Sequence, residues 1–377
     1  MKIRQFHPTR DSYLRSVCGA NDVTVQADLA IVEFDDLGVA WDIAQLDDAV
    51  RLIEEAGRST PTGVLVLPVV HGWQQDADID RRDGNLRTFL DSIAGIAREQ
   101  RTLGDRGAQR VIGVYLSWHG RTSGLPIVRE ATFWSRRLAA ERVAGPGMRE
   151  ALVRIMLAAR HNPHSKCVVV GHSMGGLIVG RALAPVFETF LVSRTAGGAP
   201  LLADLVILAN PALDALASWQ FIDYLRRAKA QVELRTPDGE RFPAPGPFVV
   251  SVTSEADAAT SMAYPFGRRL SSLLLRFRGK GADGRPGQRH LLTHTEGHVD
   301  YLVSHRARLV DGEVRIEPVP DRFNTTPFWI VRTSAEICAD HSDLANPRFR
   351  ELIAKLRGLN RADELGVRTW LAARSEA

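Results

Sequence analysis

The sequence has few cysteines and no long apolar run, and both shortages narrow the class of protein. Cys18, Cys167 and Cys338 are the three cysteines among 377 residues, and they stand far apart. Such a set supplies neither a disulfide framework nor a paired-cysteine zinc motif. No stretch reaches the ~18 apolar residues of a membrane span, and the first residues lack an apolar run of signal-peptide length. We therefore expect a cytoplasmic protein without a membrane span, or an exported one from which a leader was removed.

An excess of charge of one sign is also lacking. The 48 Lys and Arg residues against 44 Asp and Glu give a formal net charge of +4, and the basic residues are scattered. A nucleic-acid-binding protein is expected to carry a concentrated basic patch. We therefore expect no nucleic-acid partner, and the composition leaves the oligomeric state open.

Strand-like and helix-like segments alternate through most of the chain. This pattern predicts an α/β fold, with a mostly parallel central sheet flanked by helices. Short runs of Val, Ile and Leu are typical of buried strands, whereas apolar residues three and four apart predict helices. The predicted strands are 27–34, 63–70, 110–118, 168–170, 204–212, 248–257 and 327–334, and the predicted helices are 46–57, 85–100, 147–161, 214–230 and 346–359.

Two stretches interrupt this alternation. Residues 119–146 and 258–326 are longer than ordinary connections between a strand and a helix. We interpret both as insertions within a single domain, 1–377, and expect them to cover a site as a cap or lid. The second contains Asp311-Gly312 between two β-rich runs, which predicts a hairpin turn.

The stretch Gly171-His172-Ser173-Met174-Gly175 lies between a predicted strand and a predicted helix. A serine on such a corner can hold its hydroxyl out of the turn, while glycines two residues to either side let the backbones pass closely. The context favours Ser173 as a catalytic nucleophile over an ordinary turn serine. His172 beside it is expected to be packed structurally.

A serine nucleophile needs a base and an acidic group that orients the base. Where a serine nucleophile lies on a strand-to-helix turn of this kind, the acid and then the histidine follow it in the chain. Of the histidines after the predicted acid strand, at 290, 294, 298, 305 and 341, His341 is the best placed base, since it follows the last predicted strand by a short loop. Asp257, at the end of the 248–257 strand, is the leading acid. Glu255 and Asp214 remain alternatives.

The same chemistry needs two hydrogen-bond donors for a developing oxyanion. One is expected to be the N–H of Met174, directly after the serine. The other is expected from the loop after the 63–70 strand, at Gly72 or Trp73. His71 in this loop is expected to shape it without titrating.

Histidines at 290, 294, 298 and 305 present a competing signal. Three of them are four residues apart and would share one face of a helix, as in some metal sites. Gly297 and β-branched neighbours argue against one continuous helix, however, and no recognised metal motif accompanies them. We expect no metal here, and interpret the segment as a loop that touches the substrate cleft.

The sequence resembles the α/β-hydrolase superfamily of serine esterases and lipases. The resemblance covers residues 28–358 and rests on the Ser173 motif, the His71-Gly72-Trp73 stretch after a strand, and the order of the three triad residues. Four further stretches, 32–38, 132–143, 253–260 and 339–349, are similar to a poorly characterised bacterial group of serine-hydrolase-like proteins.

Membership of this superfamily implies an eight-stranded sheet, a cofactor-free triad mechanism and ester substrates. The two insertions contain Trp, Phe and Leu residues, which favours an ester with an apolar acyl or aromatic group. A lipase or phospholipase, or a thioesterase or acyltransferase, would use the same triad. A non-catalytic binding protein on the same fold is the alternative from another class.

Overall fold

In the computed structural model the described residues are 13–14, 27–77, 85–104, 107–120, 126–192, 203–227, 233–235, 241–243, 246–265, 268, 275–277, 286–320 and 326–359. The chain divides into two compact units, residues 1–187 and 188–377. Each unit contains a mostly parallel sheet with helices, so the predicted α/β class is confirmed.

The first unit has a five-stranded sheet in the order β1-β2-β4-β3-β5. Its strands pair in parallel except β1, which is antiparallel to β2. The long strands are almost entirely buried, which explains their continuous apolar sequences. The strands are β1 (Tyr13–Leu14), β2 (Ala27–Phe34), β3 (Val64–Val70), β4 (Arg110–Trp118) and β5 (Lys166–His172); the helices are α1 (Ile43–Ser59), α2 (Asn85–Arg101), α3 (Pro126–Val143), α4 (Pro146–Ala159) and α5 (Met174–Val192), whose last turn belongs to the second unit.

The second unit has five strands in the order β6-β9-β12-β10-β11, and a separate β7–β8 pair. The sheet is parallel apart from the β10–β11 hairpin. Its strands are β6 (Leu205–Ala209), β7 (Glu233–Arg235), β8 (Arg241–Pro243), β9 (Val249–Ser254), β10 (His305–Val310), β11 (Glu313–Pro318) and β12 (Phe328–Thr333). Its helices are α6 (Ala215–Arg227), α7 (Gln288–Thr293) and α8 (Pro347–Gly358), with a π-helical turn at Ala259–Ala263 and 3₁₀ turns at Glu296–His298 and Asp300–Leu302.

The predicted strands and helices coincide with observed ones, with ends that differ by a few residues. The predicted hairpin is also confirmed, because Asp311 and Gly312 both have positive φ, 53° and 81°, as a tight hairpin turn requires. Helix α3 was not predicted, since residues 119–146 were interpreted as an irregular insertion. The pair Arg136-Arg137 interrupts its apolar pattern, although Arg137 is buried. Among the described helices none is long and apolar enough to span a membrane.

The parallel strands bring particular loops together at their carboxyl ends. In the first unit β3 lies beside β5, with Val70 opposite Gly171, so the loop after β3 adjoins Ser173. In the second unit β6, β9 and β12 are neighbours, and Asn210, Asp257 and His341 follow them. The carboxyl ends of parallel strands are where α/β proteins ordinarily bind ligands.

Candidate active site

Ser173 occupies the corner between β5 and α5, as its sequence context predicts. Its φ is 56°, and the residue is 7% exposed. A positive φ is uncommon for a residue with a side chain, and such strained backbone is characteristic of functional positions. A strand-to-helix turn of this kind is also the setting of the serine in a nucleophile elbow.

The glycines on either side of Ser173 are required by close backbone contacts. A Cβ at Gly171 would lie 2.6 Å from the carbonyl oxygen of Gly175, and one at Gly175 would lie 2.0 Å from that of Val70. A Cβ at Gly72 would lie 2.9 Å from the Cβ of Ser173. The missing side chains therefore allow the turn to pack against β3 and allow the loop after β3 to approach the serine.

Replacing Gly175 with alanine should disrupt this turn. The added Cβ would meet backbone, which cannot move aside as a flexible side chain can, so we expect a loss of at least ~3 kcal/mol of unfolding free energy, or failure to fold. Urea denaturation of the two proteins measures the difference. Gly95→Ala is the matched control, because nothing lies within 4 Å of its added Cβ and alanine is favoured over glycine within a helix by ~1 kcal/mol. Equal stability of Gly175→Ala and the parent would contradict the observed packing.

The residues predicted to donate to an oxyanion lie around Ser173 in the first unit. Met174 is the first residue of α5, where backbone N–H groups have no partner within the helix and the helix dipole is positive. Gly72 directly adjoins the serine side chain. Trp73 follows, and its ring meets that of Phe133 edge to face with centroids 5.2 Å apart. Phe133 packs in the same way against Trp134, so Phe133 of α3 contacts the loop after β3 and Trp134 packs behind it.

His71 holds the loop after β3 in place. The N–H of Trp118 donates to its Nε2 over 3.2 Å, so Nε2 is an acceptor and Nδ1 carries the proton. Nδ1 then donates to the carbonyl oxygen of Gly72 over 2.8 Å. Burial lowers the pKa of His71 from 6.5 to about 4, and hydrogen bonds to the backbone only partly offset this. The neutral imidazole therefore fixes the Gly72 peptide, which agrees with the expectation that it shapes the loop without titrating near neutral pH.

His71 should make the protein sensitive to acid. Below pH 6.5 the unfolded chain binds a proton at this histidine, whereas the folded chain resists protonation until about pH 4. The contribution of His71 to the free energy of unfolding is therefore fully present above pH 6.5. It decreases by about 3 kcal/mol as the pH falls to 4. We expect His71→Gln to lose correspondingly less stability between pH 7 and pH 4 in urea unfolding, with exposed His164→Gln as the control. An unchanged pH dependence in His71→Gln would contradict a neutral buried ring.

In the second unit the structure pairs the predicted base with the predicted acid. The Nδ1 atom of His341 lies 2.9 Å from Oδ2 of Asp257. The carboxylate side chain is fully buried, whereas that of the histidine is 24% exposed. A carboxylate only accepts hydrogen bonds, so Nδ1 carries the proton and Nε2 becomes the basic nitrogen of the ring. This is the arrangement in which a carboxylate prepares a histidine for proton transfer.

Asp257 is kept ionised by several donors. Burial acts to raise its pKa, but the hydrogen bond and charge of His341, with hydrogen bonds from Thr260, lower the pKa below its ordinary value. The backbone N–H groups of Ala259 and Thr260 donate to Oδ1 over 3.0 and 3.1 Å, and the Thr260 hydroxyl donates to Oδ2. Because that hydroxyl proton is used on Asp257, His298 Nε2, 2.9 Å away, must donate to the Thr260 oxygen. His298 thus supports the carboxylate through Thr260.

The two alternative acids have other surroundings. Glu255 is exposed. Asp214 is buried and accepts a hydrogen bond from the N–H of Ala217 over 3.1 Å at the start of α6. A terminal nitrogen of Arg268 lies 3.6 Å from its other oxygen. The histidine therefore meets Asp257, while Asp214 stabilises the beginning of a helix.

The four histidines that resemble a metal cluster in sequence are not gathered into one site. His290 and His294 lie with ring centroids 4.0 Å apart, and His298 contacts Thr260. His305 stacks on Trp329, with centroids 3.7 Å apart. The segment is broken by 3₁₀ turns and does not form one helix. Within the described ranges no group of three or more His, Cys, Asp or Glu residues is arranged to hold a metal ion.

Comparisons with protein-family models, curated proteins and solved structures found no match. The candidate site therefore rests on residue geometry within each unit. Sequence reasoning did not identify Thr260 or Asn210, and it named His298 only within the four-histidine segment, without a role beside Asp257. These contacts arise only through the folding of the second unit.

Proposed function

We propose that the chain is a serine hydrolase of the α/β-hydrolase type, which cleaves carboxylic esters through an acyl-enzyme. The observation that carries the proposal is the position of Ser173 on a strained strand-to-helix turn, at φ 56° and beside Gly72. The proposed role accounts for this conformation, because a sharp strand-to-helix turn exposes the hydroxyl of a serine nucleophile. The His341–Asp257 pair supports the proposal, since its hydrogen bond specifies the imidazole tautomer that a base requires.

In the proposed reaction Ser173 attacks the ester carbonyl while His341 accepts its proton at Nε2. The histidine then gives that proton to the leaving alcohol, and Asp257 stabilises the transient imidazolium. The N–H of Met174 and that of Gly72 or Trp73 bind the oxyanion. Water then attacks the acyl-enzyme, with His341 again accepting and returning a proton, and this step releases the carboxylic acid and frees Ser173. The mechanism needs no cofactor, and it requires His341 to reach Ser173.

The proposed substrate has an apolar acyl chain or an aromatic group. The support for this is the aromatic set of Trp73, Phe133 and Trp134, which borders the loop carrying the proposed oxyanion donors. Aromatic and apolar surfaces with a few polar groups are typical of small-molecule sites. A sugar or a charged nucleotide would leave such a surface without polar complementarity.

The direct test is hydrolysis of p-nitrophenyl esters from acetate to palmitate, with acyl thioesters of the same chain lengths alongside. We expect turnover of the oxygen esters, with a preference for apolar acyl groups over charged ones. A maximum at long chains would assign a lipase, and faster turnover of the thioesters would assign a thioesterase. If no ester or thioester is cleaved, the hydrolase proposal fails and the binding-protein alternative takes its place.

A further inference from the structure

Asn210 lies directly after β6, next to the two loops that carry Asp257 and His341. It is 1% exposed and has a φ of 43°. Among residues with side chains, asparagine tolerates this left-handed conformation comparatively well, although glycine adopts it more easily. The backbone at this position would suit glycine, so the contacts of the asparagine side chain show what it adds.

The amide of Asn210 joins the two loops. Its Oδ1 accepts the N–H of Ser254 over 2.9 Å, at the end of the strand that leads to Asp257. Its Nδ2 donates to the carbonyl oxygen of His341 over 3.0 Å and faces that of Asp340 at 3.4 Å. Only one orientation of the amide satisfies these partners, because an N–H needs an oxygen and carbonyls need a donor. Asparagine therefore suits this position chemically as well as sterically.

A second bond ties the same loops together. The hydroxyl of Ser254 donates to the carbonyl oxygen of Cys338 over 2.6 Å and accepts the N–H of Ala256 over 3.1 Å. The backbone before Asp257 and the backbone before His341 are thus held at a fixed separation. The hydrogen bond between the two functional side chains spans this gap, so its length depends on that separation.

We infer that Asn210 is a positioning residue for His341, acting through the backbone carbonyl of the histidine and the N–H of Ser254. It keeps the imidazole in line with Asp257, with the proton on Nδ1. The effect on catalysis rests on the proposed function. The effect on the histidine itself does not, because the ring can be observed without turnover.

Asn210→Asp is the sharpest test, since it changes one NH₂ to oxygen at nearly constant shape and turns an oxygen toward two carbonyls. We expect kcat for ester hydrolysis to fall by about 10²-fold, the scale expected for a small misplacement of a reacting group, with KM within about twofold. We also expect ¹⁵N NMR of His341 to change from the Nδ1–H tautomer to a mixture. Asn210→Gly, which accepts the same φ without the amide, should show both changes if the aspartate variant does not fold.

Asn162→Asp is the matched control. The Asn162 amide donates to the carbonyl oxygens of Gly57 and Thr60 over 2.9 and 3.1 Å, and its Oδ1 accepts the N–H of His164. The same chemical change there should affect neither kcat nor the His341 tautomer. If the Asn210 variants retain the parent tautomer, or retain the parent kcat in an active enzyme, the inference is overturned. If the parent cleaves no ester but its tautomer changes on substitution, the positioning role stands and the proposed function falls.

Discussion

Ser173→Ala is expected to lower kcat for ester hydrolysis by about 10⁵- to 10⁶-fold, the loss seen when a triad nucleophile is removed. No other atom can form the acyl-enzyme, so the residual rate reflects only oxyanion stabilisation and substrate binding. KM should change little, because the side chain loses a single oxygen. Steady-state kinetics with the best p-nitrophenyl ester measures both constants.

A second variant at this position separates the effect of backbone strain on stability from the effect of the lost hydroxyl on catalysis. Glycine accepts the φ of 56° without the penalty that a Cβ carries, so Ser173→Gly should be as inactive as Ser173→Ala but at least as stable as the parent. Ser92→Ala serves as the control with full activity, at a serine on α2 whose hydroxyl donates to the carbonyl oxygen of Thr88 in the same helix. A Ser173→Ala protein that retains a tenth of the parent rate would show that another group performs the reaction.

Asp257→Asn is expected to lower kcat by about 10⁴-fold, the known cost of the same change in a serine triad. The asparagine amide would present N–H to Nδ1, where Asp257 now accepts a hydrogen bond over 2.9 Å. The imidazole would then carry its proton on Nε2, the nitrogen that has to accept one from the serine. Kinetics together with ¹⁵N NMR of His341 should show the loss of rate and the change of tautomer in the same protein.

The alternative acids provide the controls for this experiment. Glu255→Gln should keep the rate within about twofold, since Glu255 is exposed and surface substitutions have small effects. Asp214→Asn should also keep most of the rate, because asparagine caps a helix nearly as well as aspartate. If Asp214→Asn or Glu255→Gln loses 10³-fold while Asp257→Asn does not, the acid has been assigned to the wrong residue.

Local features were predictable from sequence where few residues decide them. The turn at Ser173 is set by two glycines and the apolar runs beside it, and the β10–β11 hairpin by Asp311-Gly312. The pairing of His341 with Asp257 was predicted from the ends of strands, because adjacent parallel strands bring such ends together. Whether these two residues act on Ser173 stays a prediction.

The supporting contacts could not be read from the sequence. Asn210 and His341 are 131 positions apart and meet through a backbone carbonyl, which no side-chain pattern reveals. Thr260 lies in a π-helical turn and His298 in a 3₁₀ turn 38 positions further along the chain, and tertiary folding brings the two side chains together. Helix α3 was missed because Arg136-Arg137 interrupts its apolar pattern, and tertiary contacts such as that of Phe133 with Trp73 help to place it.

The most direct measurement is labelling with a fluorophosphonate, followed by peptide mapping of the adduct by mass spectrometry. The proposal predicts a single adduct on Ser173 in the parent, and a labelling rate at least ~10²-fold lower in His341→Ala, because general-base assistance contributes at least this much. No adduct, an adduct on another residue, or an equal rate in His341→Ala would contradict a serine activated by His341.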